Sequence, residues 1–386
     1  MEIDQKIMEE FDNFSWIQNV PKVIKTTYLG ECSRIIGTDD NQFNKFMKKM
    51  IVGGFDINGA LLNQNIDKGF PGSLAVTILR KDFPLLSSRP YRILPKTDGI
   101  RFFLCFMAVG EKPDIKRFCF LLNRNNQFYI ISMHGFPESI YEGTIFDGEL
   151  VELENEKYQY QIFDCLSIFG KSIFMKTHIE RLNQANFINT INLKKFEKSE
   201  KSESNLASSK FNPFEIILKH YITNEEANKL KFDKSSKLDG IILINSESSY
   251  KFGKDTELFK LKKIDTVDFK LKLFTNPKQK KICKYFTSNS KQKNTLQFEL
   301  EIPDNWLKHF DDPNNEYIKT NVDLLDSKIV ECFYDKIEKI WYPYRLRNDK
   351  LYANNVKTFN LTLSNIQENI QLEEIIIELQ KQKNNN

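Results

Sequence analysis

From Arg92 onward the chain breaks into short apolar runs of strand length, and such runs bury their faces as β-sheet. The runs are Arg92–Leu94, Arg101–Val109, Arg117–Asn123, Gln127–Met133, Thr144–Leu153 and Tyr158–Ile168, with Asn125-Asn126 closing a hairpin between the third and fourth. Strand patterns return at Phe214–Tyr221, Leu238–Ile244 and Leu258–Leu261, after a helical spacing over Lys176–Ile191. Beyond residue 266 a second strand-rich block, with runs Thr295–Ile302, Ser327–Tyr334 and Lys339–Tyr344, has the size of a small barrel.

The flanks differ. Residues 1–64, including the apolar and basic segment Phe43–Val52, read as a helical extension without a chemical motif. Lys194–Lys210 is a Ser/Lys/Glu stretch that reads as an exposed insertion. Ser364–Lys383 places Ser364 at a helix N-cap and apolar residues at 366, 370, 375, 376 and 379 on one face, which predicts a single amphipathic helix. Two domains are expected from 386 residues. With 40% hydrophobic residues and 32 Phe, the chain can fill two cores.

Charge narrows the partners. Fifty-six basic residues against 52 acidic leave a net of +4, so a polyanion would bind at a local site rather than along a basic surface. The six cysteines form no CxxC pair and there are only four His, which favours buried thiols in a reducing compartment over a zinc site or disulfide framework. Without an apolar run of membrane-spanning length or a basic leader, the expectation is a soluble intracellular protein with no membrane partner.

The chemistry centres on Lys96-Thr97-Asp98-Gly99-Ile100-Arg101. A lysine beside a turn glycine can attack the α-phosphate of a nucleotide once its ammonium is deprotonated, and Arg101, Lys260 and Lys262 are candidate cations to favour that. Alone, the pattern reads first as an ordinary surface turn. Downstream come Phe146-Asp147-Gly148-Glu149-Leu150, Ile162-Phe163-Asp164, Leu238-Asp239-Gly240-Ile241-Ile242 and Phe259-Lys260-Leu261-Lys262. Then follow Thr266-Val267-Asp268-Phe269 and Arg345-Leu346-Arg347-Asn348-Asp349-Lys350. Each has a bland explanation as a strand-edge turn, a strand with a wet face or a solvated charge cluster.

Taken in order, these motifs resemble those of the covalent nucleotidyltransferases, a superfamily of DNA ligases, RNA ligases and mRNA capping enzymes. Phe70-Pro71-Gly72-Ser73, the Lys-Thr-Asp-Gly-Ile-Arg motif, Pro213-Phe214 with Lys219, Thr-Val-Asp-Phe and Arg-x-Asp-Lys with Asn354 are most similar to the mRNA guanylyltransferases over residues 65 to 360. Lys263, Ile264 and Asp265 stand where the family usually carries a proline and an asparagine.

The resemblance implies an α+β chain. It has an ATP-grasp-like nucleotidyltransferase domain with antiparallel sheets at 65–266, a C-terminal OB-fold β-barrel at 267–360 and a C-terminal helix at 361–386. It further implies that Lys96 takes GMP from GTP as lysyl-GMP, with Mg²⁺ or Mn²⁺, and passes it to the 5′-diphosphate end of RNA. Arg101 and Glu149 match ribose-binding positions, Phe163 and Ile242 a guanine sandwich, and Lys219 a donor to the base. The competing readings are Phe163 and Ile242 as plain core and Lys219 as a solvated strand lysine. Lys260 and Lys262 match α-phosphate lysines, and Asp239 an aid to metal or lysine positioning. Arg345, Arg347, Asp349 and Lys350 match contacts to the β- and γ-phosphates made when the OB domain closes. A separate RNA 5′-triphosphatase and cap methyltransferase, RNA polymerase and a nuclear location are implied partners and setting, or a cytoplasmic or virion location if the source is viral. An ATP-dependent ligase and an inactive RNA-binding scaffold are the competing readings.

Overall fold

In the computed structural model the described residues are 70, 72–109, 116–124, 128–131, 133–153, 157–191, 212–230, 238–289, 293–348, 350 and 352–382. The expected helical extension, the Lys194–Lys210 insertion, the Asn125-Asn126 turn, Cys32 and Asp349 lie outside them. Two compact units are present, one containing Leu85–Lys260 and the other Leu261–Ile375.

Two sheets build the first unit. One has the order β1 (Leu74–Thr77), β11 (Lys254–Lys262), β10 (Leu238–Asn245), β2 (Tyr91–Thr97). The other runs β5 (Phe128–Ile131), β4 (Lys116–Asn123), β3 (Ile100–Val109), β6 (Thr144–Glu152), β7 (Tyr158–Ile168), β8 (Lys171–Ser172), with β9 (Glu215–Leu218) parallel to β7. β3 is nearly all apolar because both of its faces are covered. Phe102, Leu104 and Phe106 join a core that includes Phe146, Tyr160 and Leu182, while Phe103, Cys105 and Met107 join another with Phe120 and Phe174. The larger sheet is antiparallel apart from β7–β9, β10 and β2 pair antiparallel in the other, and with short helices such as α1 (Phe83–Ser88), α2 (His178–Ala185) and α3 (Asn224–Asn228) the fold is α+β, as expected.

The second unit is a five-stranded antiparallel sheet in the order β14 (Asn294–Glu301), β13 (Lys281–Ser288), β12 (Thr266–Thr275), β15 (Ile329–Asp335), β16 (Ile340–Leu346). That order is the strand sequence of an OB-type Greek key, open between β14 and β16 among the described residues rather than closed into a barrel. Phe269, Tyr285, Trp306, Trp341 and Tyr342 fill its interior.

Two expectations need correction. The runs expected in the strand-rich second block omit β12 and β13, whose outward lysines mask the inward alternation of Leu271, Cys283 and Tyr285. The single C-terminal helix is two, α4 (Val356–Glu368) and α5 (Leu372–Lys381). Asn355, not Ser364, caps α4, accepting from the Thr358 amide, and Asn369 ends it in the left-handed conformation (φ 49°). Ser364 lies inside α4 and donates to the Asn360 carbonyl at 3.1 Å. The apolar face survives the break, with Ile366, Ile370, Ile375, Ile376 and Leu379 all buried. Five free cysteines are buried, as expected of structural thiols.

Candidate active site

Lys96 lies on β2, one residue from its end, rather than after it as the short run Arg92–Leu94 suggested. β2 is the edge of its sheet, which is where Pro95 can sit without removing a ladder hydrogen bond. Opposite it, β10 pairs Leu238 with Thr97 and Gly240 with Lys96, leaving Asp239 as the extra residue of a β-bulge. Gly240 takes φ 146°, a conformation that favours glycine, and the bulge turns the Asp239 carboxylate onto the Lys96 ammonium in a part-buried ion pair. The ion-pair partner of Lys96 is thus an anion. Arg101, expected as a neighbouring cation, is turned to another partner.

The residue after the lysine is a hub. The buried Thr97 hydroxyl donates to Glu149 Oε2 at 2.9 Å and accepts from Lys219 Nζ at 2.8 Å. Lys219 also donates to the Pro95 carbonyl at 3.1 Å and lies 3.8 Å from Glu149. It is 8% exposed, so it is not a solvated strand lysine. Burial pushes its pKa down to about 8 against the pull of Glu149, and the Lys96 charge adds to the depression. Gly99 lets the turn close on β6, because a Cβ there would stand 2.5 Å from the Leu150 carbonyl oxygen.

Arg101 faces Glu149 across the β3–β6 ladder, yet its guanidinium takes the diagonal carboxylate. Its Nε and Nη2 donate to Asp147 at 2.9 and 2.5 Å, and Nη1 donates to the Ser73 carbonyl at 2.5 Å. Burial works against the guanidinium charge and Asp147 overrides it, raising the pKa of Arg101, while burial holds the Asp147 carboxyl above its ordinary value despite Arg101. Tyr250 donates to Asp147 at 2.6 Å. The guanidinium stands 5.2 Å from the rings of Phe70 and Phe163. Phe163 and Ile242 are only partly buried, which separates them from the core residues around them. Lys260 is partly buried and shares a strand face with Lys262, two residues on.

The second unit gathers the other expected residues around two buried carboxylates. Arg345 Nε donates to Glu331 at 2.6 Å, Arg347 Nη1 donates to Asp268 at 3.1 Å, and Lys350 pairs with Asp268. Lys262 donates to the Thr266 hydroxyl at 3.3 Å, which donates in turn to Glu331 at 2.6 Å. Thr97, Asp147 and Glu331 are the residues that reading by motif left without a role. The signal for Asp147 was present as an acid two residues before Glu149 on the same strand face, whereas Glu331 sits in no motif.

The sequence matches known proteins. The family described as mRNA capping enzyme, catalytic domain, matches residues 34–264, and the mRNA capping enzyme C-terminal domain matches residues 264–376. The mRNA-capping enzyme subunit alpha of Saccharomyces cerevisiae is 27% identical over 364 residues, covering 80% of this chain and 78% of that protein. The subunit of the same name from Schizosaccharomyces pombe is 27% identical, covering 80% of each. Among solved structures, Chlorella virus DNA ligase-adenylate aligns over 72% of this chain and 99% of its own, at 16% identity and a TM-score of 0.32. The two family matches, over a unit that carries Lys96 on a strand and a five-stranded C-terminal unit, make the chain a nucleotidyltransferase. The chain belongs to the mRNA capping enzyme family, and its activity is that of an mRNA guanylyltransferase.

Proposed function

We propose that Lys96 is the nucleophile of this guanylyltransferase, and the observation that carries the reading is the ion pair holding its Nζ to the bulged Asp239. As a free amine, Nζ attacks the α-phosphorus of GTP. The bond to the β-phosphate oxygen breaks, pyrophosphate leaves and the amine gives up a proton, for which Asp239 is the adjacent base. In the second step a terminal oxygen of the RNA 5′-diphosphate attacks the same phosphorus, the P–N bond breaks and Lys96 regains a proton. The product is a GpppN cap.

Glu149 and Arg101 are assigned to the ribose, Phe163 and Ile242 to the guanine faces, and Lys260 and Lys262 to the α-phosphate. Arg345, Arg347, Asp349 and Lys350 are assigned to the β- and γ-phosphates. The domains are taken as 1–64, 65–266, 267–360 and 361–386. Among the described residues no three ligating side chains converge, which fits Mg²⁺ or Mn²⁺ held by a carboxylate together with substrate phosphates. Asp239 would hold it, and the cation would neutralise charge on the α-phosphate and leaving group. A separate 5′-triphosphatase, a cap methyltransferase and RNA polymerase are the proposed partners, and the nucleus the proposed setting. No helix among the described residues is long and apolar enough to cross a membrane.

The test is incubation with α-labelled GTP or ATP and Mg²⁺ or Mn²⁺, followed by denaturation. Label from GTP on the chain is the expected result. Label from ATP alone would move the protein to the ligases, and none from either would leave a binding scaffold.

Lys219 makes the choice of base depend on pH. Its ammonium donates to guanine O6, whereas the neutral amine can accept from the amino group of adenine. Because its folded pKa is depressed to about 8, the charged form is complete well below that pH and is lost on going above it. The ratio of GTP to ATP labelling should therefore fall between pH 7 and 9. Lys219→Met should give a low ratio across the same range, and a ratio in the unaltered protein that stays flat would refute the assignment.

A further inference from the structure

Asp268, Glu331 and Arg345 form one cross-strand row, since β12 pairs Asp268 with Glu331 and β15 pairs Glu331 with Arg345. Two carboxylates directly opposite each other are destabilising unless cations separate them, and both of these are 4% exposed. The cations are supplied. Arg347 Nη1 spans the two acids, 3.1 Å from Asp268 and 3.5 Å from Glu331. Glu331 takes the Nε edge of Arg345, whose side chain remains 39% exposed, and its other oxygen accepts from Thr266. Lys262, Arg345, Arg347 and Lys350 thus gather around the two carboxylates.

We propose that Glu331 is the positioning residue of this cluster, fixing the guanidinium groups of Arg345 and Arg347 in the arrangement that grips the pyrophosphate end of the nucleotide. This rests on the assignment of those arginines to the β- and γ-phosphates. Burial alone would push the Glu331 carboxyl up, but Arg345, Lys262 and Arg347 hold it down to about 2, so it is an anion throughout the working pH range. An arginine bound by its inner edge loses little further rotamer freedom when a ligand meets its outer edge, and its tether is worth more than a neutral hydrogen bond.

The reverse of the first step reads the grip directly: pyrophosphate attacks the lysyl-GMP phosphorus, the P–N bond breaks, Lys96 takes a proton and GTP is released. Glu331→Gln should raise the KM for pyrophosphate by about tenfold, the size expected for losing a charge-assisted hydrogen bond. Transfer of GMP to RNA from the isolated lysyl-GMP protein should change less than about twofold, because pyrophosphate has no part in it. If Glu331→Gln does not fold, Thr266→Val removes the other tether of the same carboxylate and should raise that KM by about threefold.

A role in charge alone predicts the opposite sign. Removing a negative charge from a cation cluster would lower the KM, and a lowered or unchanged value overturns the proposal. So does an equal loss in both steps, which marks general damage. Arg347→Ala serves as the reference: if it leaves the pyrophosphate KM unchanged, the assignment of the cluster to the leaving group has failed, whereas an effect there with none in Glu331→Gln refutes the positioning role alone.

Discussion

Lys96→Ala abolishes transfer of label from α-labelled GTP to the chain, and Lys96→Arg abolishes it equally although the positive charge is kept. The attacking group must be a free amine for part of its time, and a guanidinium is never deprotonated at accessible pH. Asp239→Asn keeps the shape and a hydrogen-bonding partner for Nζ while removing the base. A positioned proton acceptor is worth about 10²–10⁴-fold, so labelling should slow by at least about a hundredfold. None of these variants should unfold the protein, because the Lys96 and Asp239 side chains are 22% and 27% exposed and a pair so placed contributes about 1 kcal/mol or less. Rapid-quench labelling beside thermal melts separates the effects. Covalent GMP on Lys96→Arg would exclude Lys96 as the nucleophile.

What could be read in advance was whatever the backbone period dictates. Lys96, Arg101, Glu149, Phe163, Ile242 and Lys260 all fall on strands, because their motifs are short polar interruptions in runs that must alternate or be buried. The partners were not legible. Thr97 joins Glu149 and Lys219 through one hydroxyl, and those residues come from β6 and the end of β9, far apart in the chain. Arg101 looked aimed at a ligand, yet a diagonal across two strands gives it Asp147, a pairing that only the ladder register defines. The helix break at Asn369 was hidden for a different reason. Apolar spacing continues through it, with Ile366, Ile370, Ile375, Ile376 and Leu379 all buried, and a period test cannot see a left-handed residue that interrupts hydrogen bonding but not burial.

Arg181→Met should cost about 3–5 kcal/mol, the typical loss on breaking one side of a buried ion pair. Arg181 is 1% exposed and lies on α2, where its Nε and Nη2 donate to Asp164 at 2.6 and 2.8 Å and its Nη1 donates to the Lys176 and Ser248 carbonyls. Removing it strands the Asp164 carboxylate, 5% exposed, with the Cys165 amide and His178 as its remaining partners. For a chain of this size the expected fall in apparent Tm is roughly 6–20 °C. Burial pushes Asp164 up, but Arg181 and His178 override it, leaving its folded pKa below the ordinary value. A depressed carboxylate contributes stability above its unfolded pKa and loses it as the pH falls through the folded one, so that contribution should vanish from the variant in acid melts. His178 titrates in the same direction for another cause: burial lowers its pKa, the unfolded chain binds the proton first, and stability drops as the pH falls below about 6.5. These groups hold the site as well as the fold, because His178 Nε2 lies 2.9 Å from the backbone carbonyl of Phe163, the ring assigned to guanine. Arg181→Met should therefore also weaken GTP binding at temperatures where the variant is still folded. A melting temperature unchanged by the substitution would mean that the pair does not carry the α2–β7 junction.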